Sequence, residues 1–361
     1  MRIPVLIKQL LLLFCLFSWG QGISQSDFGK EIKLFSDSLS KSFSKTQKIQ
    51  GMLAFNDTAR MKWNNLPVGL RARAGVNIGN MTNDQRRMVH RILSAALSSQ
   101  GYLKATGIMH LDNLINGFYD SLYQRKEISD TTYRFVRSLL WSHQNYYFAF
   151  FGNPADPQWG FKLEGHHLSV NFSFAGNNIA VTPFFIGTDP AEYMISEYAG
   201  WRVLGQEEDL GLRLIRSMSP ALQKKATKEG NAPGDIITGA ESGKRLIGNW
   251  GIQASELTTE QKALLESMIR EFVFNMEYDK ALKEYDKIRK AGIDNIWFGW
   301  MGAYEEKKSH YYVINGPTFL IEFDNNGGPR KAANHIHAIW REKGNEFGED
   351  VLKQHYLKEK H

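Results

Sequence analysis

The chain runs to 361 residues and carries 44 lysines and arginines against 38 acidic residues, a formal charge of +6. The two signs are interleaved, as from Asp279 to Lys290, which excludes the cationic stripe of a nucleic-acid reader. A single cysteine, Cys15, excludes an internal disulfide and a thiolate-rich metal site, so stability must come from a large apolar core.

Arg2 and Lys8 precede an apolar run from Leu10 to Trp19, broken only by Ser18 and followed by Gly20, Gly22 and Ser24. Charge in front, a short apolar run and small residues behind predict a signal peptide over 1–24, not a membrane span. The expected mature protein is exported, periplasmic or secreted, and without a membrane span. Losing Arg2 and Lys8 takes its charge from +6 to +4. Cys15 leaves with the leader, and its place inside the apolar run argues against a lipid anchor. Residues 25–361 read as one α+β domain, because no linker-like tract divides them and no internal repeat stands out.

Phe28, Ile32, Phe35, Leu39 and Phe43 recur at helical spacing and predict an amphipathic helix from Phe28 to Gln50. Thr82 with Gln85 forms a capping box that opens a helix to about Ser99, stopped by Gly101. Further helices are expected over Leu103–Ile115 and Thr131–His143. The pattern then turns to strands: Asn145–Phe151, one long strand over Phe161–Phe174, and a returning strand over Ile179–Ile186 after Gly176-Asn177-Asn178. Helices resume over 206–228, with a break at Pro220, and from the Thr258/Gln261 capping box over 259–290. Strands over Asn295–Met301, His310–Asn315, Thr318–Asp324 and Ala333–Arg341 follow, then a closing helix over Phe347–Lys358. Short hairpin links predict an α+β fold: a mainly antiparallel sheet flanked by helices of the N-terminal half and of 206–228 and 259–290.

Four of the 10 histidines fall in two strand-like islands, Gly165-His166-His167-Leu168 and Asn334-His335-Ile336-His337. Alternation along a strand puts His166 with Glu164 on an otherwise apolar face, where each needs a partner and the other is one candidate. His335 and His337, two apart, stand side by side on one face, close enough to grip one ion. If Thr318–Asp324 pairs with the second island, Glu322 comes near His335 or His337. Histidine pairs of this kind also serve as plain hydrogen-bonding residues in sheets. His310 and His355 are weaker candidates, and His90, His110 and His143 fit helical patterns. His335-x-His337 with Glu342 matches the metal-motif spacing of a cupin, but a second motif is missing and the helix content is too high. The tryptophans, Trp159, Trp201, Trp297, Trp300 and Trp340 among them, serve either as core or as a platform for rings and sugars.

Longer motifs carry a family resemblance. Trp159-Gly160-Phe161, Glu164 to Asn171, Thr182-Pro183, Pro190-Ala191-Glu192, Gly316 to Asn325, Asn334 to Arg341, Phe347-Gly348 and His355-Tyr356 resemble an uncharacterised bacterial family, domain of unknown function 3500. The resemblance runs from about Asn83 to Tyr356 and implies a shared fold and export, but no activity. The family pattern commonly has aspartate where this chain has Glu342, and the loop from Asn326 to Ala332 is atypical.

The leading expectation is an exported metal-dependent hydrolase. His166, His167, His335 and His337 supply the ligands of a divalent ion, zinc first and iron, copper or manganese as alternatives, and Glu164 or Glu322 the catalytic base. Two alternatives use the same residues: a non-catalytic exported protein binding a small molecule or glycan, and an iron- or copper-dependent oxidoreductase. An ion acting only as a structural staple is a further alternative.

Overall fold

The computed structural model describes residues 27–176, 178–240, 248–327, 332–349 and 352–353. The expected leader at 1–24, Asn177 and His355 lie outside the described residues. The first half of the chain forms α1 (Asp27–Ser42), α2 (Lys45–Gly51), β1 (Met52–Leu53), β2 (Val76–Asn77), α3 (Asn83–Ala96), α4 (Ser99–Gln124) and α5 (Asp130–Ser138). A meander follows: β3 (Tyr147–Phe151), β4 (Gln158–Gly165), β5 (Leu168–Ala175) and β6 (Asn178–Thr188). The second half forms α6 (Gly205–Arg216), α7 (Pro220–Ala226), β7 (Ile252–Gln253), α8 (Thr259–Val273) and α9 (Tyr278–Ala291). It closes with β8 (Trp297–Gly302), β9 (His310–Asn315), β10 (Phe319–Asn326) and β11 (His335–Glu342).

The fold is α+β. Among the described residues 11 strands join one sheet, ordered β1-β3-β4-β5-β6-β11-β10-β9-β8-β7 with β2 on β3, and antiparallel except for β1 against β3. Leu168, Val170, Phe172 and Phe174 of β5 enter the main core with residues of α1, α3 and α4. The opposite face carries Lys162, Glu164, Ser169, Asn171, Glu322 and Asp324, all buried. Loops cover it: Lys162 Nζ donates to the Ala59 carbonyl at 2.8 Å, and Ser173 Oγ to the Phe347 carbonyl at 2.8 Å.

Several boundaries differ from the sequence expectation for local reasons. The helix expected over Phe28–Gln50 breaks at Ser44, whose side chain caps α2 through Gln47. Gly101 does not stop a helix. It lies inside α4, which Ser98 caps, and a Cβ there would meet the Asn275 carbonyl at 2.0 Å. The helix expected over 259–290 breaks where Glu277 caps α9. The strand expected over Phe161–Phe174 is two, β4 and β5, joined by a tight turn at His166-His167. Of the closing helix, the described part begins as a 3₁₀ turn, Glu346–Gly348.

The two halves repeat one plan. Gly75 (φ 117°) and Gly251 (φ 96°) each lead into a two-residue strand and then a Thr/Gln capping box, Thr82/Gln85 and Thr258/Gln261. A Cβ at either glycine would meet the carbonyl of Phe148 or Phe298, the strand residue lying against it. Gln85 Nε2 donates to the Ser42 carbonyl at 3.0 Å, and Gln261 Nε2 to the Ser217 carbonyl at 2.9 Å. Met52 runs parallel to Phe150 as Thr227 does to Trp300. Gly152 (φ 76°) and Gly302 (φ 87°) follow the matching strands β3 and β8. The last strands of the two meanders, β6 and β11, pair antiparallel around Phe184 opposite Trp340. A local two-fold therefore passes through that pair. The chain is an internal duplication whose halves share one sheet.

Two outcomes follow for stability. Gln85→Leu and Gln261→Leu each lose a cap and leave a carbonyl unpaired, so urea unfolding should show a loss of about 1–2 kcal/mol for either. His310 is sealed between Trp300 and Phe323 at centroid distances of 5.1 and 5.8 Å. Burial pushes its pKa below 6.5, against the pull of Glu208 3.7 Å away. The fold thus favours the neutral ring, and the unfolded chain takes up the proton first. Stability should hold above pH 6.5 and fall below it, and urea midpoints of His310→Phe should fall less over that range.

Candidate functional site

The site is built on the β4–β5 turn and the start of β11. Gly165 and Leu168 pair across the turn, leaving His166 and His167 as its two corner residues, with His167 at φ 59°. A left-handed histidine is unfavourable, so tertiary contacts must hold it. Asp112 of α4 does so from one side: its Oδ1 lies 2.6 Å from His166 Nδ1. Tyr146 Oη lies 2.9 Å from Asp112 Oδ2 and 2.8 Å from the His166 carbonyl. Gly165 makes room for the Tyr146 ring, which a Cβ would meet at 2.4 Å. On the other side the Gly187 N–H donates to the His167 carbonyl at 2.7 Å.

That turn brings His167 against β11, because Gly187 of β6 is also the partner of His337. His167 Nε2 lies 2.8 Å from His335 Nε2, and the ring centroids of His167 and His337 are 5.1 Å apart. One ligand atom from each of His167, His335 and His337 lies within 4.8 Å of the others. Asp112, His166 and His167 form a second such group that overlaps the first. The His166 ring stacks on His167 at 3.7 Å. A Cβ on Gly187 would meet His337 Cδ2 at 3.0 Å and His167 Cδ2 at 3.1 Å. Glycine is therefore what lets the two rings pass over the strand.

Two carboxylates finish the arrangement. Asp235, in the loop after α7, lies 2.7 Å from His337 Nδ1, with Asn65 Nδ2 3.4 Å from the same nitrogen. A carboxylate at Nδ1 fixes the proton there and leaves the lone pair on Nε2. That Nε2 is sealed from solvent and has no hydrogen-bond partner among the described residues. Asp324 of β10 sits directly across from His337 and on its face. Its Oδ1 accepts from Asn326 Nδ2 at 2.8 Å, while its buried Oδ2 has no partner.

The electrostatics favour a neutral ring at His167. Burial pushes the His167 pKa well below 6.5, and His166, His335 and His337 push it the same way. Burial alone would raise the Asp235 carboxyl, but the His337 hydrogen bond and charge outweigh it and hold it below 3.8. Burial raises Asp324 to about 6, only partly opposed by Asn326 and His337. A neutral His167 ring, a His337 ring oriented by Asp235 and a sealed Nε2 suit a metal site.

The four histidines named from sequence are thus brought together. The two glutamates are engaged elsewhere. Glu164 accepts from the Asn64 N–H at 2.9 Å and pairs with Arg73 at 2.7 Å, so the partner of His166 is Asp112 and not Glu164. Glu322 stands opposite Ile339, two pairs beyond His337. Its carboxylate accepts from the Ile237 N–H at 2.6 Å, the Thr238 N–H at 3.1 Å, the Thr238 hydroxyl, and Tyr311 at 2.8 Å. It thereby anchors the loop that carries Asp235. Glu342 lies five residues past His337, hence on the opposite face, and pairs with Lys280 at 3.2 Å. Sequence reasoning missed Asp112, Asp235 and Gly187. Asp112 had a signal, a carboxylate in the apolar stripe of Ile108 and Ile115.

The family model described as Protein of unknown function (DUF3500) matches residues 27–349. The chain belongs to this family. No curated protein and no solved structure matches it. The DUF3500 match includes both halves of the duplication and every residue of the site.

Gly187→Ala tests the packing directly. Its Cβ would also meet the Ile336 carbonyl at 2.7 Å, so the rings or the strand pair must move. Thermal unfolding should show a loss of about 1–3 kcal/mol, and a neutral result would contradict this geometry.

Proposed function

We propose that His167, His335 and His337 hold a divalent metal ion, zinc in the first place, in an exported hydrolytic enzyme. The observation that carries the reading is the buried, unpartnered Nε2 of His337 beside two imidazole nitrogens 2.8 Å apart. An unsatisfied buried acceptor costs about 1–3 kcal/mol, so a site that keeps one has a use for it. These three imidazoles would hold a zinc ion, which when bound would supply Lewis acidity and acidify a water. The protein's part is to orient the donors. Asp235 sets the tautomer of His337, Asp112 fixes the His166 ring that stacks on His167, and Gly187 clears the space between the rings. Iron and copper suit the same donors, and elemental analysis decides among them. The export part of the proposal rests on the leader-like residues 1–24.

A second reading has its own support. His167 belongs to the first half and His335 and His337 to the second, and His167 and His337 are buried. An ion there ties the two halves together, so its role in this reading is structural.

Untagged protein should carry about one ion per chain, and His335→Ala with His337→Ala should abolish it. Asp235→Asn should weaken metal affinity about 10–100-fold. Full metal content in the double variant would end the proposal. A chelator that lowers the melting temperature of a protein inactive on chromogenic esters would select the structural reading.

A further inference from the structure

Asp324 is a buried carboxylate beside the histidine cluster whose Oδ2 meets no hydrogen-bond partner among the described residues, although the Gly234 backbone N–H acts on the same carboxylate. It faces His337 across the β10–β11 pair, and Asn326 holds its Oδ1 so that Oδ2 cannot turn to the same donor. It is fully buried, yet it is in neither of the groups whose ligand atoms lie within 4.8 Å of one another. Asp324 is therefore a neighbour of the cluster and not one of its ligands. The two unpartnered atoms, Asp324 Oδ2 and His337 Nε2, stand on one face of adjacent strands. An ion on Nε2 satisfies the nitrogen. It leaves the carboxylate oxygen needing a hydrogen-bond donor.

We propose that Asp324 selects what takes the open position of the metal centre: a neutral, proton-bearing ligand such as water or an alcohol is held, and small anions are turned away. This rests on the metal reading above. An ionised carboxylate is an acceptor only, so it rewards an O–H or N–H at that position. It also repels a second negative charge, and strongly where water is excluded. Without Asp324, a divalent ion on the three imidazoles, beside the Asp235 carboxylate already bonded to His337, would keep a net positive charge and draw anions. With it, the centre keeps its water in the presence of salt. Asp324 thus adds a second acceptor-only carboxylate to that of Asp235, from the cross-strand position.

The test uses Co²⁺-loaded full-length protein at pH 8 and sodium azide as the probe, read by the visible absorption of Co²⁺. Asp324→Asn keeps the shape and removes the charge, and Asp324→Ser serves as a second variant should the first fold poorly. Azide should bind wild-type protein weakly and the variants about tenfold or more tightly, at equal Co²⁺ content. A merely structural carboxylate would not move the azide affinity. Equal azide affinity in wild type and variants would overturn the proposal. So would loss of Co²⁺ from the variants, since Asp324 would then be a ligand. A wild-type protein that takes up no Co²⁺ would overturn the metal centre itself, a failure told apart by the absence of any Co²⁺ absorption.

Discussion

The pairing of β6 with β11 is the constraint on which the rest of the molecule depends. It joins the last strand of each half, so that two meanders become one sheet, and it sets Gly187 opposite His337. Because register in a sheet is all or nothing, a slip of one residue would turn His335 and His337 to the other face. The same glycine donates its N–H to the turn that carries His167. One residue therefore fixes the backbone of both histidine islands and leaves their rings the space to approach.

The duplication explains why the site occurs once. At the related position of the second half, the Lys343 N–H donates to the Thr318 carbonyl at 2.9 Å, as Gly187 does to His167. The backbone device is shared, and the chemistry is not. Where one half has a glycine and a histidine, the other has a lysine and a threonine. Lys343 there spends its ammonium on the Asn315 side chain at 2.6 Å. The histidine cluster stands at one end of a symmetric frame, built by side chains, while the hydrogen bonds that shape the frame occur in both halves.

What the sequence disclosed was local. Capping boxes at Thr82 and Thr258 and strands such as His310–Asn315 depend on neighbours in the chain, and they form where expected. Counting faces along β11 put His335 and His337 side by side, whereas the same count along one long strand separated His166 from His167, whose rings in fact stack at the turn. What stayed hidden was non-local or unusual. A turn with His167 in the left-handed region has no glycine to announce it, so two strands read as one. The repeat was invisible because few residues besides Gly75/Gly251, Thr82/Thr258 and Gln85/Gln261 preserve it. Asp235 comes from an irregular connector, where no periodicity points a side chain anywhere. Glu322 was singled out as chemistry, but its four hydrogen bonds show an anchor for that connector.

The central claim is that both halves of the duplication contribute imidazoles to one ion. X-ray absorption at the metal edge of untagged protein, compared between wild type and His167→Ala, measures this most directly. The account predicts three imidazole nitrogens at about 2.0–2.1 Å in the wild type, as for zinc bound to histidine, and one fewer in the variant. A spectrum unchanged by the substitution, or one without imidazole scattering, would contradict it.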